Sequence, residues 1–286
     1  MIIEIIITIF IFALVPLAVK ETSANPFTIG LFRLLLASIL LGFFWRMKID
    51  WNVWKKSSFW KLIIIGLAFF GHWITYTFSV KAAGPSICVL GMATYSIQLI
   101  FLGSWFLGHR ITYKNIICLI LSLIGVILVI PSWNFHDNVT FGLGLALVSA
   151  SFYAVIPIML QKSHELSQET RIFYQFFISC CCYALLWGQT SWSGLNNIDW
   201  WLLTFLAVLG TFVAHTFWSK AVTKLPTTTS GIIYYLITPL TMVLAWGITG
   251  EKLTLMQKIG GLIILMSVLV NLINKKLVNK IIGNRL

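Results

Sequence analysis

The sequence predicts an all-α membrane protein: ten transmembrane helices arranged as two inverted five-helix repeats. Three observations carry that prediction. Of 286 residues, 59% are hydrophobic, 15% aromatic and only 10% charged, which no soluble domain of this length shows. Ten apolar stretches approach the roughly 20 residues that about 30 Å of hydrocarbon requires. The chain also repeats itself. Gly108–Val129 (GHRITYKNIICLILSLIGVILV) lies without gaps on Gly250–Asn271 (GEKLTLMQKIGGLIILMSVLVN) at an offset of 142. Gly108/Gly250, Thr112/Thr254, Ile117/Ile259, Leu123/Leu265 and Val126/Val268 are identical there.

Other segments repeat at nearly the same offset. Ala13-Leu-Val-Pro16 answers Ala154-Val-Ile-Pro157, and Phe32 answers Phe173, both at 141. His72 and Lys81 answer His215 and Lys224 at 143. Offsets this constant indicate one unit used twice, residues 1–134 and 135–286. Five spans per unit is an odd number, so the second unit enters from the opposite face. The halves are then inverted about an in-plane axis, an architecture of secondary transporters.

The spans are expected near 2–19, 26–45, 59–80, 85–107, 113–130, 141–160, 171–190, 200–221, 226–248 and 255–273. The first carries Glu4 where a leader peptide has basic residues, and it belongs to the repeat, so it reads as a span. Asn25-Pro26 opens the second, with Asn as cap and Pro at the first helical position. Arg33 sits about 10 Å into that span at the helical rise of 1.5 Å per residue. An intramembrane Arg faces protein or water, or it snorkels outward. Between spans four and five, and nine and ten, the pattern is the same. A Gly suited to a left-handed helix end is followed four residues on by a Thr that caps the next helix, with Thr254-x-x-Gln257 as a capping box. Pro16, Pro157 and Pro239 lie inside spans and should kink them, as hinges or as exposed carbonyls lining a cavity.

Lys and Arg set the orientation. With the N-terminus inside, 15 fall in cytoplasmic segments, 4 in outer loops, and Arg33 within a span. Both termini are therefore expected in the cytoplasm of a plasma (bacterial inner) membrane protein. The net charge of +12 is then explained by the anionic leaflet rather than by nucleic acid. Trp45, Trp51, Trp54, Trp60, Trp192, Trp200 and Trp201 fall at expected membrane surfaces, as an interfacial belt. Cys88, Cys118 and Cys180-Cys181-Cys182 read as buried, reduced packing residues, with no His beside them to make a metal site.

The polar residues inside spans are the candidate substrate contacts. His72 shares a helical face with Tyr76 and Ser79, and His215 shares one with Thr204, Thr211 and Trp218. Polar faces on apolar helices line water or each other. Counted from the span ends, the two histidines fall on opposite sides of the midplane. Either they are a hydrogen-bonded structural pair, or they gate and exchange protons. Tyr95 and Gln98 in the fourth span, Tyr153 in the sixth, and Tyr234 and Thr238 in the ninth complete the set.

Pro26-x6-Arg33-x3-Ala37, Thr238-Pro239-Leu240 and Gly250-Glu251-Lys252-Leu253-Thr254, in this order within ten spans, resemble the EamA-type drug/metabolite transporter family. The resemblance covers essentially the whole chain. It implies alternating access through a central cavity lined mainly by spans 1, 3, 4, 6, 8 and 9. The sequence departs at two places. His109 stands where the family usually has the Glu that Glu251 retains, and Ile97 stands where the second repeat has Pro239.

The function expected is secondary transport of a small organic metabolite, an amino acid or similar amphipathic solute. Only eight Asp and Glu in the chain argue against a dedicated polyvalent-cation carrier. A proton is a candidate coupling ion, no cofactor or metal is expected, and the chain is a monomer or homodimer. The competing class is a membrane-embedded lipid-modifying enzyme. It would need converging nucleophile, base or metal ligands, and the sequence has no clustered acids, no HExxH and no phosphate loop.

Overall fold

The computed structural model describes residues 2–108, 110–130, 136–225 and 227–272. These form helices joined by short loops, with no strand among them. In order the helices are α1 (Ile2–Glu21), α2 (Pro26–Trp45), α3 (Phe59–Ala83), α4 (Pro85–Met92), α5 (Tyr95–Leu107), α6 (Tyr113–Val129) and α7 (Asn138–Lys162). They continue as α8 (Gln168–Leu185), α9 (Asn197–Ala207), α10 (Ala214–Val222), α11 (Thr227–Tyr235), α12 (Ile237–Thr249) and α13 (Leu255–Leu272). A π-helical turn, Val208–Val213, joins α9 to α10.

Among the described residues six helical stretches are long and apolar enough to cross a membrane by length and composition. They are Ile3–Glu21, Pro26–Trp45, Phe59–Ala83, Pro85–Leu107, Asn138–Lys162 and Asn197–Val222. Tyr113–Val129, Ile233–Thr249 and Leu255–Ser267 are apolar but shorter, and α8 is not among the six. The start of the ninth expected span at Pro226, the departure at His109, and the basic tail from Lys275 to Arg285 lie outside the described residues.

The helix ends obey the local chemistry. Asn25 Oδ1 accepts from the Thr28 amide at 2.8 Å, with Pro26 at the first position of α2. Gly108 (φ 70°) and Gly250 (φ 67°) end α5 and α12 in the left-handed region, which costs a glycine nothing. Thr112 and Asn115 form a reciprocal capping box on α6. Thr254 and Gln257 do the same on α13, with bonds of 2.9 and 3.3 Å. Glu251 acts on a different helix. Its carboxylate accepts from the Ser86 amide (3.1 Å) and hydroxyl (2.8 Å), capping the start of α4. Away from the apolar body, the Lys61 ammonium stands 2.7 Å from Glu165 and holds that carboxyl below its usual range.

Three of the expected spans are interrupted. The fourth breaks at Ala93–Thr94, although Ile97 supplies no proline. The Gly91 carbonyl there accepts both the Thr94 amide at 3.1 Å and the Thr94 hydroxyl at 2.8 Å. The ninth breaks at Leu236, not at Pro239 itself. A proline lacks the N–H that would bond the carbonyl four residues earlier, here Tyr235, so the ladder fails one turn before the ring. The eighth carries the π-turn. Pro16 and Pro157 lie inside continuous helices. The cysteine run is not wholly buried, contrary to expectation: Cys180 is buried, but Cys181 is exposed and Cys182 intermediate. Three consecutive helical positions point about 100° apart and cannot all face one core.

Small residues set the packing. α3 runs against α7, α2 and α3 against α8, and α6 against α13. Ser79 donates to the Gly142 carbonyl and Ser179 to the Gly66 carbonyl, both at 2.6 Å, joining α3 to α7 and α8. Such close approaches are how helices associate where lipid is as apolar as the side chains. The tightest is between α6 and α13. A Cβ on Gly125 would lie 2.7 Å from the Gly260 carbonyl oxygen, and one on Gly260 would lie 2.6 Å from that of Gly125. Outward-facing apolar residues such as Phe43, Phe44, Ile120, Trp246 and Leu262 are exposed, as a lipid-facing surface requires. Trp51, Trp54, Trp60, Trp200 and Trp201 are exposed too, while Trp45 and Trp192 are partly covered.

Gly125→Ala or Gly260→Ala should therefore force α6 and α13 apart and destabilise the protein by about 1–3 kcal/mol, the usual cost of overpacking. Gly247→Ala, with open space around it, is expected to be silent. Thermal unfolding of the purified protein measures both.

Candidate functional site

A small cavity lies where the interrupted helices meet. Its walls come from α1 (Phe12, Val15), α3 (His72, Trp73, Tyr76), α4 (Val89, Met92), α7 (Tyr153), α10 (His215), α11 (Tyr234) and α12 (Ile237, Thr238). These belong to expected spans 1, 3, 4, 6, 8 and 9. The breaks hold the walls together. Ser96, just past the first break, donates to the Gly231 carbonyl at 2.8 Å. Thr238, just past the second, reaches the Val89 carbonyl at 3.3 Å. Thr241 reaches the Ala13 carbonyl of α1 at 3.2 Å.

Inside, rings fill the space. His72 stacks on Tyr153 with centroids 4.3 Å apart. Tyr153, Tyr95 and Tyr234 form a triangle with sides of 5.1, 4.7 and 5.4 Å. His215 sits in a cage of Phe12 (4.5 Å), Phe69 (5.0 Å) and Trp73 (5.4 Å). Trp218 lies 5.7 Å from Tyr234 and 6.3 Å from Phe12. What remains open is about 20 Å³, room for about one water molecule, against the roughly 300 Å³ or more of a ligand pocket. This arrangement is closed to a metabolite.

The two histidines differ in their partners. The Ser149 hydroxyl donates its proton to the His72 carbonyl at 3.0 Å. His72 Nδ1 lies 2.8 Å from that same hydroxyl oxygen and 3.3 Å from the Ser149 carbonyl. Both oxygens can then only accept, which assigns the neutral ring its proton at Nδ1. His215 is the opposite case: neither ring nitrogen has a hydrogen-bond partner. The Tyr95 and Tyr153 hydroxyls and the Trp73 and Trp218 indole N–H groups are also buried and unpartnered. Buried polar atoms normally find partners, so this concentration around one closed cavity is unusual.

Of the nine residues singled out from sequence, His72, Tyr76, Tyr153, His215, Tyr234 and Thr238 line the cavity. Tyr95 and Trp218 are buried one ring behind it. Gln98 stands apart. It donates to the Thr94 hydroxyl at 3.0 Å and lines a separate, mainly apolar crevice with Leu119, Leu123 and Leu147. Its amide supports the first helix break, a role that no sequence pattern announces. Sequence reasoning missed Trp73. It lies three residues before Tyr76, on the same helical face, and that spacing was the available signal. Among the described residues no group of three or more His, Cys, Asp or Glu side chains could hold a metal ion.

Comparisons with known proteins fit this geometry. The profile of the EamA-like transporter family matches residues 1–130 and again 140–273. An uncharacterized transporter of Bacillus subtilis (strain 168) is 21% identical over 281 residues, spanning 96% of this chain and 90% of the relative. An uncharacterized transporter of Archaeoglobus fulgidus is 24% identical over 266 residues, spanning 88% of this chain and 89% of the relative. Protein RarD of Escherichia coli (strain K12) is 26% identical over 183 residues, spanning 64% and 61%. One crystal structure superposes with a TM-score of 0.71 at 15% identity, covering 94% of this chain and 95% of that one, a likeness of fold alone.

Ser149→Ala should remove both the proton acceptor of His72 and the hydroxyl bond back to α3. The expected cost is about 1–3 kcal/mol, reduced where Nδ1–H turns to the Ser149 carbonyl. Thermal unfolding checks it, and a parent-like midpoint would show that this pair does not hold α3 to α7.

Proposed function

The chain belongs to the EamA-like transporter family, and on that premise we propose that it carries a small amphipathic organic solute, of amino-acid size, across the bacterial inner membrane by alternating access. The observation that carries the proposal is the closed cavity of His and aromatic side chains, built from six spans, with unpartnered polar atoms around it. Rings offer broad apolar faces, and the spare hydroxyl and N–H groups offer orientation, which together suit an amphipathic solute. The closed form described is one state of the cycle. Opening to either side separates the rings, and the solute shifts the balance only by binding the states unequally.

Residues 1–134 and 135–286 form two five-helix halves of inverted topology, ten spans in all. Support comes from paired local features: left-handed Gly108 and Gly250, capping boxes at Thr112 and Thr254, and breaks in both α4–α5 and α11–α12. The family profile matching each half separately supports it too. Both termini are placed in the cytoplasm on the charge count, 15 against 4. His72 and His215 are assigned a part in proton exchange, with His215 the freer of the two because its nitrogens have no partner.

Reconstituted in proteoliposomes, the protein should move labelled amphipathic solutes in a saturable manner that unlabelled solute competes. Tyr153→Ala or Tyr234→Ala should lower that flux about two- to tenfold, the worth of lost aromatic contacts. His215→Gln should flatten its pH dependence more than His72→Gln does. Lipid turnover without solute flux would instead establish the enzyme reading.

A further inference from the structure

Arg33 is fully buried in α2, and the cavity walls do not include it. Its Nε donates to the Thr211 hydroxyl at 2.7 Å. Thr211 passes its own proton to the Leu206 carbonyl, five residues back, at 2.8 Å. Thr211 lies in the π-turn Val208–Val213, a distortion that recurs at functional sites. The guanidinium carbon lies 3.4 Å from the ring centroid of Trp73. Nη1 and Nη2 are buried and have no hydrogen-bond partner. No carboxylate pairs with them among the described residues. An intramembrane cation held this way is costly, and such residues mark substrate pathways.

The guanidinium stands directly behind the cavity wall. A Cβ placed on Gly210 would lie 3.6 Å from Arg33 Nη2 and 3.1 Å from Val15 Cγ2. Val15 and Trp73 both line the cavity. Two side chains, Val15 and Trp73, therefore stand between a fork of unpaired N–H donors and the cavity, and Gly210 packs beside the fork against Val15. In the closed form the Trp73 face stands in for a counter-ion through a cation–π contact.

We propose that Arg33 is the anion-binding subsite of this cavity, and that Nη1 and Nη2 take the carboxylate of the carried solute when Trp73 turns off the guanidinium. Thr211 holds Nε, which aims the remaining two nitrogens as a planar fork. A carboxylate matches that fork with two parallel bonds, which a neutral amide or a cation cannot make. The His and aromatic walls take the rest of the solute. The inference rests on the transporter reading and narrows its substrate class to organic carboxylates, zwitterions included. Carboxylate binding displaces Trp73, so the solute binds this compact arrangement less well than one in which the ring has turned away, and shifts the balance by that difference.

The test measures binding to the purified full chain with three matched probes: indole-3-acetate, its neutral amide indole-3-acetamide, and the cation tryptamine. Chloride is titrated separately. The acetate should bind the parent at least about tenfold more tightly than the amide or the amine, the scale of a charge-assisted bond. Arg33→Gln should collapse that ratio toward one, and Arg33→Lys should restore part of it. If Arg33→Gln does not fold, Thr211→Val and Gly210→Ala read the same ratio: the first frees Nε, the second places a methyl in contact with Nη2 and tight against Val15, where the carboxylate has to approach, and each should shrink it. Equal binding of acetate and amide, no binding of the acetate, a ratio that survives in the Arg33 or both alternative variants, or stabilisation by chloride that excludes the acetate would each overturn the proposal. Flux of neutral solutes in vesicles without carboxylate preference would sink the anion subsite and leave the transporter standing. Selective carboxylate binding without flux of any solute would do the reverse.

Discussion

A backbone carbonyl or amide inside hydrocarbon has no water to bond, so every break in a helix of this chain has to be covered by another group. That constraint places the site. The fourth expected span breaks at Ala93–Thr94, and the Thr94 amide and hydroxyl both bond the Gly91 carbonyl. The ninth breaks at Leu236, and the groups around both breaks bond across them, Ser96 to Gly231 and Thr238 to Val89. The eighth loosens into a π-turn, from which the Thr211 hydroxyl bonds the Leu206 carbonyl just before it. Breaks that cover one another must lie together. The fourth and ninth breaks therefore meet, and the residues beside them, Met92, Ile237 and Thr238, line the cavity.

The same centre is closed by rings rather than by ion pairs. His72 on Tyr153, the three tyrosines, and the cage around His215 each bury apolar faces. Aromatic pairs contribute about 0.5–1.5 kcal/mol each beyond their buried area. A handful of them holds the cavity walls together with a stabilisation of a few kcal/mol. The hydroxyls of Tyr95 and Tyr153, the Trp73 indole N–H and both ring nitrogens of His215 are left unpartnered, while His72 is held by Ser149. The centre thus combines favourable stacking with unsatisfied donors and acceptors, and the proposed opening would act on that balance.

Much of this was legible in the sequence, because the signals were local. Gly108 and Gly250 must take a left-handed turn, and Thr112 and Thr254 must cap the helices after them. Six of the nine residues chosen as polar positions on apolar helices line the cavity, since such positions have few other places to go. What the sequence hid was tertiary. The break before Thr94 has no proline to announce it. The break at Leu236 lies one turn before Pro239, because the missing bond belongs to the earlier carbonyl. Gln98 looks like a lining residue and instead braces Thr94. Arg33 was visible as a costly charge, but its neighbours Thr211 and Trp73 come from two other helices and appear only when the chain is folded.

The central claim is that the closed cavity opens alternately to the two sides of the membrane. Thr238→Cys, in a chain whose five native cysteines are replaced, places a thiol on the cavity wall. Sealed vesicles are treated with a membrane-impermeant thiol reagent from one side or the other, with and without a carried solute. The account predicts modification from either side, with rates that the solute shifts in opposite directions. Modification from one side only under every condition, or none at all while solute crosses the membrane, would contradict it.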